Sequence, residues 1–160
     1  MVKKLNKIGV LTSGGDSPGM NAAIRSVVRT CAFHKIECVG IYRGFEGMIE
    51  GDFKVLDARS VNYIINKGGT FLKSARSKEF RTKSGREKAY QKLLKEGIEA
   101  LILIGGDGTF TGGMIFNKEF GFPFIGIPGT IDNDISGTNY TLGYDTALNT
   151  VVEAIDKIRD

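Results

Sequence analysis

Asp107, Asp132 and Asp134 stand in surroundings suited to chemistry. Asp107 sits inside Gly105-Gly-Asp-Gly-Thr109, where small neighbours leave room for a polyphosphate. A carboxylate there can hold Mg²⁺ bridging phosphate oxygens, or can simply close a hydrogen-bonded turn. Asp132 and Asp134 are two positions apart in Pro128-Gly-Thr-Ile-Asp-Asn-Asp134, so an extended segment would project both to one side. Two like charges that close call for a cation, a proton or a basic neighbour. One can take a proton from an attacking hydroxyl while the other positions a metal; the same segment serves equally as a solvated acidic loop. Arg76 and Arg81 supply the opposite charge. Phosphoryl transfer needs positive groups around the migrating phosphoryl and a base aligned with the incoming hydroxyl.

Such groups act only if the chain folds them together. Three apolar runs each end in a polar, glycine-rich turn: Ile8–Leu11 before Thr12-Ser-Gly-Gly-Asp-Ser-Pro-Gly19, Ala100–Ile104 before Gly105-Gly-Asp-Gly-Thr109, and Phe124–Ile127 before Pro128. The runs read as strands, with both faces of Ala100–Ile104 buried. Met20, Ala23, Ile24, Val27, Val28 and Cys31 fall on one helix face, with Pro18 in its first turn. Cys38–Tyr42 is a further strand, Gly44–Asp52 a loop and Arg59–Asn66 a short helix. Gly85–Glu96 and Thr109–Phe120 are helices, although Gly112-Gly113 weakens the second. Ala147, Leu148, Val151, Val152, Ile155 and Ile158 form a last amphipathic helix. Alternating strands and helices predict an α/β three-layer sandwich with a mostly parallel sheet. In such a sheet ligands bind beyond the carboxyl ends of the strands, where all three turns would lie.

The 160 residues suit one domain, and 41% hydrophobic with 25% charged residues is a globular balance. This excludes a disordered chain, a coiled coil and a disulfide-stapled mini-protein. The 22 glycines are about twice the usual share. Between Lys73 and Lys95 nine basic residues meet only Glu79 and Glu87. That stretch is a solvated face or a funnel for phosphate anions. It lacks interleaved stacking aromatics, so no nucleic acid is expected as a partner. Cys31 and Cys38 read as buried reduced thiols, and His34 as a cation at a helix C-terminus. No apolar run approaches the ~18 residues of a membrane span, and no signal peptide is evident. The expected location is the cytoplasm.

Familiar nucleotide motifs fail. Gly14 and Gly19 have P-loop spacing, but Met20 and Asn21 replace the lysine and hydroxyl residue, and G-x-G-x-x-G is absent. The residues alone therefore lead to a Mg-nucleotide phosphotransferase of α/β type. At the same motifs the sequence resembles the bacterial-type ATP-dependent 6-phosphofructokinases. The likeness rests on Leu11-Thr-Ser-Gly-Gly-Asp16 with Pro18-Gly-Met-Asn21, Gly68-Gly-Thr-Phe-Leu72 with Ser74-Ala-Arg76, Gly105-Gly-Asp-Gly108 and Pro128-Gly-Thr-Ile-Asp-Asn-Asp134. NAD and lipid kinases share Gly-Gly-Asp-Gly-Thr, but not the last motif.

The resemblance implies MgATP-dependent phosphorylation of the 1-hydroxyl of fructose 6-phosphate, a step of glycolysis, yielding ADP. Asp132 would be the base, with Thr130 and Arg76 as catalytic partners. Gly15, Arg76, Ser77, Gly106, Asp107, Gly108 and Thr109 would line the ATP site. Thr130, Ile131 and Asp132 would face the sugar phosphate, and Asp107 with Asp134 would engage Mg²⁺. Pyrophosphate-dependent relatives usually carry aspartate and lysine where this chain has Gly108 and Gly129, so ATP is the expected donor. The alternatives are a pyrophosphate-dependent enzyme and a non-catalytic nucleotide-binding fragment. The family further implies a homotetramer with an allosteric site, to which Arg25, Arg29 and Arg159 correspond. Ala58 and Tyr63 depart from the arginine and acidic residue that many members carry there, a departure from the pattern linked to ADP and phosphoenolpyruvate. Residues 1–160 read as a single ATP-binding, catalytic domain, with the family's second, substrate-binding domain absent from the chain and this half expected to be inactive alone.

Overall fold

A computed structural model describes residues 4–159. The elements run β1 (Lys7–Thr12), α1 (Met20–Phe33), β2 (Glu37–Ile41), α2 (Gly44–Glu50), β3 (Phe53–Leu56), a 3₁₀ turn at Glu79–Arg81, α3 (Lys83–Glu96), β4 (Ala100–Gly105), α4 (Asp107–Phe120), β5 (Phe124–Pro128) and α5 (Tyr144–Arg159). The sheet order is β3-β2-β1-β4-β5, parallel throughout except for β3.

Alternation along the strands builds two cores. Ile8 and Val10 of β1, with Ala100 and Ile104 of β4, face Met20, Ile24, Val28 and Cys31 of α1. Leu11, Leu101 and Leu103 point the other way, onto Phe45 and Met48 of α2, Leu93 of α3 and Phe116 of α4. Helices thus cover both faces, as the three-layer expectation required. Cys31 and Cys38 are free and buried. His34 caps α1 through its backbone N–H to Thr30 O, at the expected helix C-terminus.

Four local expectations change. The glycine-punctuated segment 44–52 is mostly helix, because Phe45, Met48 and Ile49 bury one face. Gly44 and Gly47 are required by packing, since a Cβ would lie 2.8 Å from Thr12 O and 1.6 Å from Tyr42 O respectively, while Gly51 at φ 83° closes the helix in a left-handed cap. Segment 59–66 is a series of turns instead of a helix. Tyr63 has φ 58°, and Asp57 Oδ1 accepts from the N–H groups of Arg59 and Ser60, diverting the backbone. Gly19, at φ 90°, caps α1, so Pro18 lies in the turn before the helix. The short edge strand β3 was not anticipated; four residues with only one buried carry little periodic signal.

Gly112-Gly113 does not break α4. A Cβ at Gly113 would come within 2.5 Å of Leu103 Cδ1, so glycine lets α4 lie close against β4. The stripe of α5 forms as expected but buries nothing: Leu148, Val151, Val152, Ile155 and Ile158 are all exposed.

Candidate active site

The chain steps from β1 outward to β2 and β3, then returns to place β4 on the other side of β1. The carboxyl ends of β1 and β4 therefore flank a topological switch point, where diverging connections leave a crevice. Ser13 N–H donates to Ile104 O at 3.0 Å and fixes the floor. A Cβ at Gly105 would lie 2.5 Å from Ser13 O, so only glycine permits this approach of the two turns. Thr109, buried in the first turn of α4, donates its hydroxyl to the same Ser13 O at 3.2 Å. The α4 N-terminus, capped by Gly106 without a side-chain bond, thereby opens on the crevice with its partial positive charge.

Above this floor is a cavity of about 660 Å³. Its walls include Gly15, Arg76, Ser77, Gly106, Asp107, Gly108, Thr109, Thr130, Asp132 and Asp134, and so bring together every expected catalytic, nucleotide and metal residue. Ile131 is half-exposed and is not among the lining residues. Arg25, Arg29 and Arg159 lie elsewhere. Arg25 borders a second, smaller cavity with Asn62 and Tyr63 and donates to Val61 O at 3.1 Å. Arg29 is exposed on α1 and Arg159 on the last turn of α5.

The two aspartates after β5 reach the cavity by a route other than extended backbone. Asn133 has φ 51°, a left-handed conformation that asparagine tolerates. Its carboxamide turns into the loop, accepting from Thr141 N–H at 2.9 Å and donating to Asn139 O at 3.2 Å. Asp132 and Asp134 on either side both line the cavity. Asp132 Oδ2 also accepts the Thr130 hydroxyl at 3.3 Å.

Asp107, Asp134, Arg76 and Arg81 make no side-chain hydrogen bond or ion pair among the described residues. Carboxylates and guanidiniums held apart around one cavity suit a ligand carrying both anionic and cationic groups. Among the described residues no three His, Cys, Asp or Glu side chains gather into a metal cage. One or two carboxylates completed by phosphate oxygens is instead the usual arrangement for Mg²⁺, and Asp107 with Asp134 fits it.

The far end of the cavity was less visible in sequence. Phe45 and Phe80 stack there with ring centroids 4.1 Å apart. Gly112 lies against them, since a Cβ would be 3.1 Å from Phe45 Cε2. Arg86 borders the same end but is already engaged. Its Nε and Nη2 donate to Glu119 at 2.6 and 2.7 Å, and its Nη1 donates to Phe80 O and Arg81 O at 3.0 and 2.8 Å. This fork holds the Glu119 carboxyl below its ordinary range and raises the arginine further. A signal was present: Arg86, Ala89 and Leu93 share one face of α3, and all three are buried. The basic run thus divides, with Arg76 and Arg81 at the cavity and Lys88 paired to Glu79 outside it at 2.7 Å.

Known proteins agree with this geometry. An ATP-dependent 6-phosphofructokinase of Halothermothrix orenii is 60% identical over 98% of this chain and 47% of its own length. Its counterpart in Vibrio cholerae is 61% identical over 98% of this chain and 48% of its own. The chain thus spans about half the length of the curated relatives it matches. The structure of phosphofructokinase from Saccharomyces cerevisiae superposes with a TM-score of 0.93 at 38% identity, over 96% of this chain and 24% of the yeast chain. A family model for phosphofructokinase matches residues 7–160, a stretch that takes in every turn around the cavity, and the chain belongs to that family.

Proposed function

We propose that this chain forms the ATP-and-base half of an ATP-dependent 6-phosphofructokinase, which phosphorylates the 1-hydroxyl of fructose 6-phosphate and releases ADP. The observation that carries the reading is the convergence of Asp107, Asp132, Asp134 and Arg76 on one cavity at the switch point. ATP would enter with its base toward the Phe45–Phe80 end and its phosphates over Gly15, Gly106, Gly108 and the α4 N-terminus. Open space at Gly108, where a Cβ would meet nothing within 4 Å, supports ATP over pyrophosphate as donor.

Asp132, oriented by the Thr130 hydroxyl, would accept the proton of the attacking 1-hydroxyl. Arg76 would face the migrating phosphoryl and offset the charge that gathers on its oxygens. Mg²⁺ held by Asp107 and Asp134 would supply charge neutralisation between the phosphates. Ser77 and Thr109 would line the nucleotide, while Thr130-Ile131-Asp132 would meet the sugar.

The uncovered apolar stripe of α5 supports a second, sugar-binding domain packing beside this one in the full-length polypeptide. Assembly into a cytoplasmic homotetramer, with Arg25, Arg29 and Arg159 at an effector site, belongs to the same reading. Turnover of fructose 6-phosphate by the full-length polypeptide tests it. MgATP should support the reaction, Asp132→Ala should abolish most of it, and ATP binding should survive. Turnover with pyrophosphate alone, or undiminished turnover in Asp132→Ala, would refute it.

A further inference from the structure

Arg76 is exposed and has no side-chain partner among the described residues, so its place at the cavity is set by the backbone that carries it. That backbone has no regular secondary structure from the end of β3 to the 3₁₀ turn at Glu79. It also contains Gly68-Gly69, with Gly69 at φ 72°. A double glycine so close upstream of a working side chain is a hinge unless something closes it.

Asn21 closes it. The residue sits in the second position of α1, in the Pro18-Gly-Met-Asn21 motif, and is 3% exposed. Its Nδ2 donates to Lys67 O at 3.0 Å, and its Oδ1 accepts from Phe71 N–H at 2.6 Å. A carbonyl and an N–H four residues apart would bond to each other in a helix. Here one carboxamide stands between them and satisfies both across the double glycine. Thr12 then holds the next stretch, with its hydroxyl 2.8 Å from that of Thr70 and donating to Lys73 O at 2.9 Å. Leu72, fully buried, anchors the turn in the core.

We propose that Asn21 is a positioning residue for Arg76: its side-chain amide locks the Gly68-Gly69 hinge and so sets where the guanidinium meets the phosphates. The idea rests on Arg76 being a phosphate-facing group. Asn21 itself touches no substrate, since it does not line the cavity.

Two readouts on the 160-residue chain test it. In amide hydrogen exchange, Asn21→Ala should speed exchange across residues 67–77 while β1 and β4 stay protected. In MgATP titration it should weaken binding by roughly tenfold, as loss of a charged hydrogen-bonding group does. In an Arg76→Ala background the same substitution should add almost nothing. Should Asn21→Ala fail to fold, Asn21→Asp keeps the acceptor for Phe71 but sets a carboxylate oxygen against the Lys67 carbonyl in place of the donor; it should loosen the same segment. Unchanged exchange at 67–77 would overturn the proposal, as would ATP effects of the two substitutions that simply multiply. If the unsubstituted chain binds no MgATP, the nucleotide reading fails by itself, and the exchange experiment still decides whether Asn21 locks the hinge.

Discussion

Thr130 and Asp132 hold each other in a two-residue turn. The threonine hydroxyl donates to Asp132 Oδ2 at 3.3 Å and accepts the Asp132 backbone N–H at 3.2 Å. The carboxylate that would take the substrate proton is therefore aimed by its neighbour. Removing the hydroxyl should slow turnover of the full-length enzyme by about tenfold, the scale of one hydrogen bond to a charged group. Thr130→Val should show this as lower kcat with little change in KM for ATP, and Thr130→Ser should restore most of the loss. Equal kcat values for Thr130→Val and the unsubstituted enzyme would remove Thr130 from the mechanism.

Arg86 and Glu119 give a prediction with a pH sign. The Glu119 carboxyl lies below its ordinary value of 4.5, chiefly because it accepts hydrogen bonds from the arginine. A depressed carboxyl contributes stability above its unfolded pKa and loses it as pH falls through the folded one. Unfolding midpoints in urea should therefore fall on acidification below about pH 4.5. Glu119→Gln should flatten that limb. Arg86→Ala should cost about 1–2 kcal/mol at neutral pH, chiefly because it leaves the Phe80 and Arg81 carbonyls without their donor, the Glu119 carboxylate being open to water.

Gly108 offers a test of the donor. It lies in the first turn of α4, where a side chain meets nothing and an acidic group suits the helix dipole. Gly108→Asp should leave the unfolding free energy within about 0.5 kcal/mol of the parent. It should nonetheless weaken MgATP binding, through bulk and like charge beside the polyphosphate, more than binding of Mg-pyrophosphate. Calorimetry with both ligands reads the difference. Equal losses for the two would disconnect Gly108 from donor choice.

Much of this was legible in the sequence where one signal dominated. β1, β4 and β5 announce themselves as apolar runs, and each stops at glycines whose spacing marks the cavity. Asp107, Asp132, Asp134 and Arg76 stand out by residue type and by their place beside glycine turns, and all four line the cavity. α2 was hidden because Gly44 and Gly47, needed for close packing, and Gly51, needed for a left-handed C-cap, mask a helical stripe. Segment 59–66 misled for the opposite reason: Val61 and Ile64 are buried three apart, but turns place them. The Phe45–Phe80 stack and the Arg86–Glu119 pair join residues 33 or more positions apart, and no local pattern pairs them. Asn21 carries no local signal of its partners, because Lys67 and Phe71 lie 46 and 50 positions away in sequence.

The proposed function requires the cavity between β1 and β4 to be a Mg-nucleotide site. Titration calorimetry of the 160-residue chain with MgATP, beside Asp107→Ala, tests this most directly. The prediction is saturable one-to-one binding, weakened by about tenfold or more when the Asp107 carboxylate is removed. No binding, or equal affinity in the two chains, would contradict it.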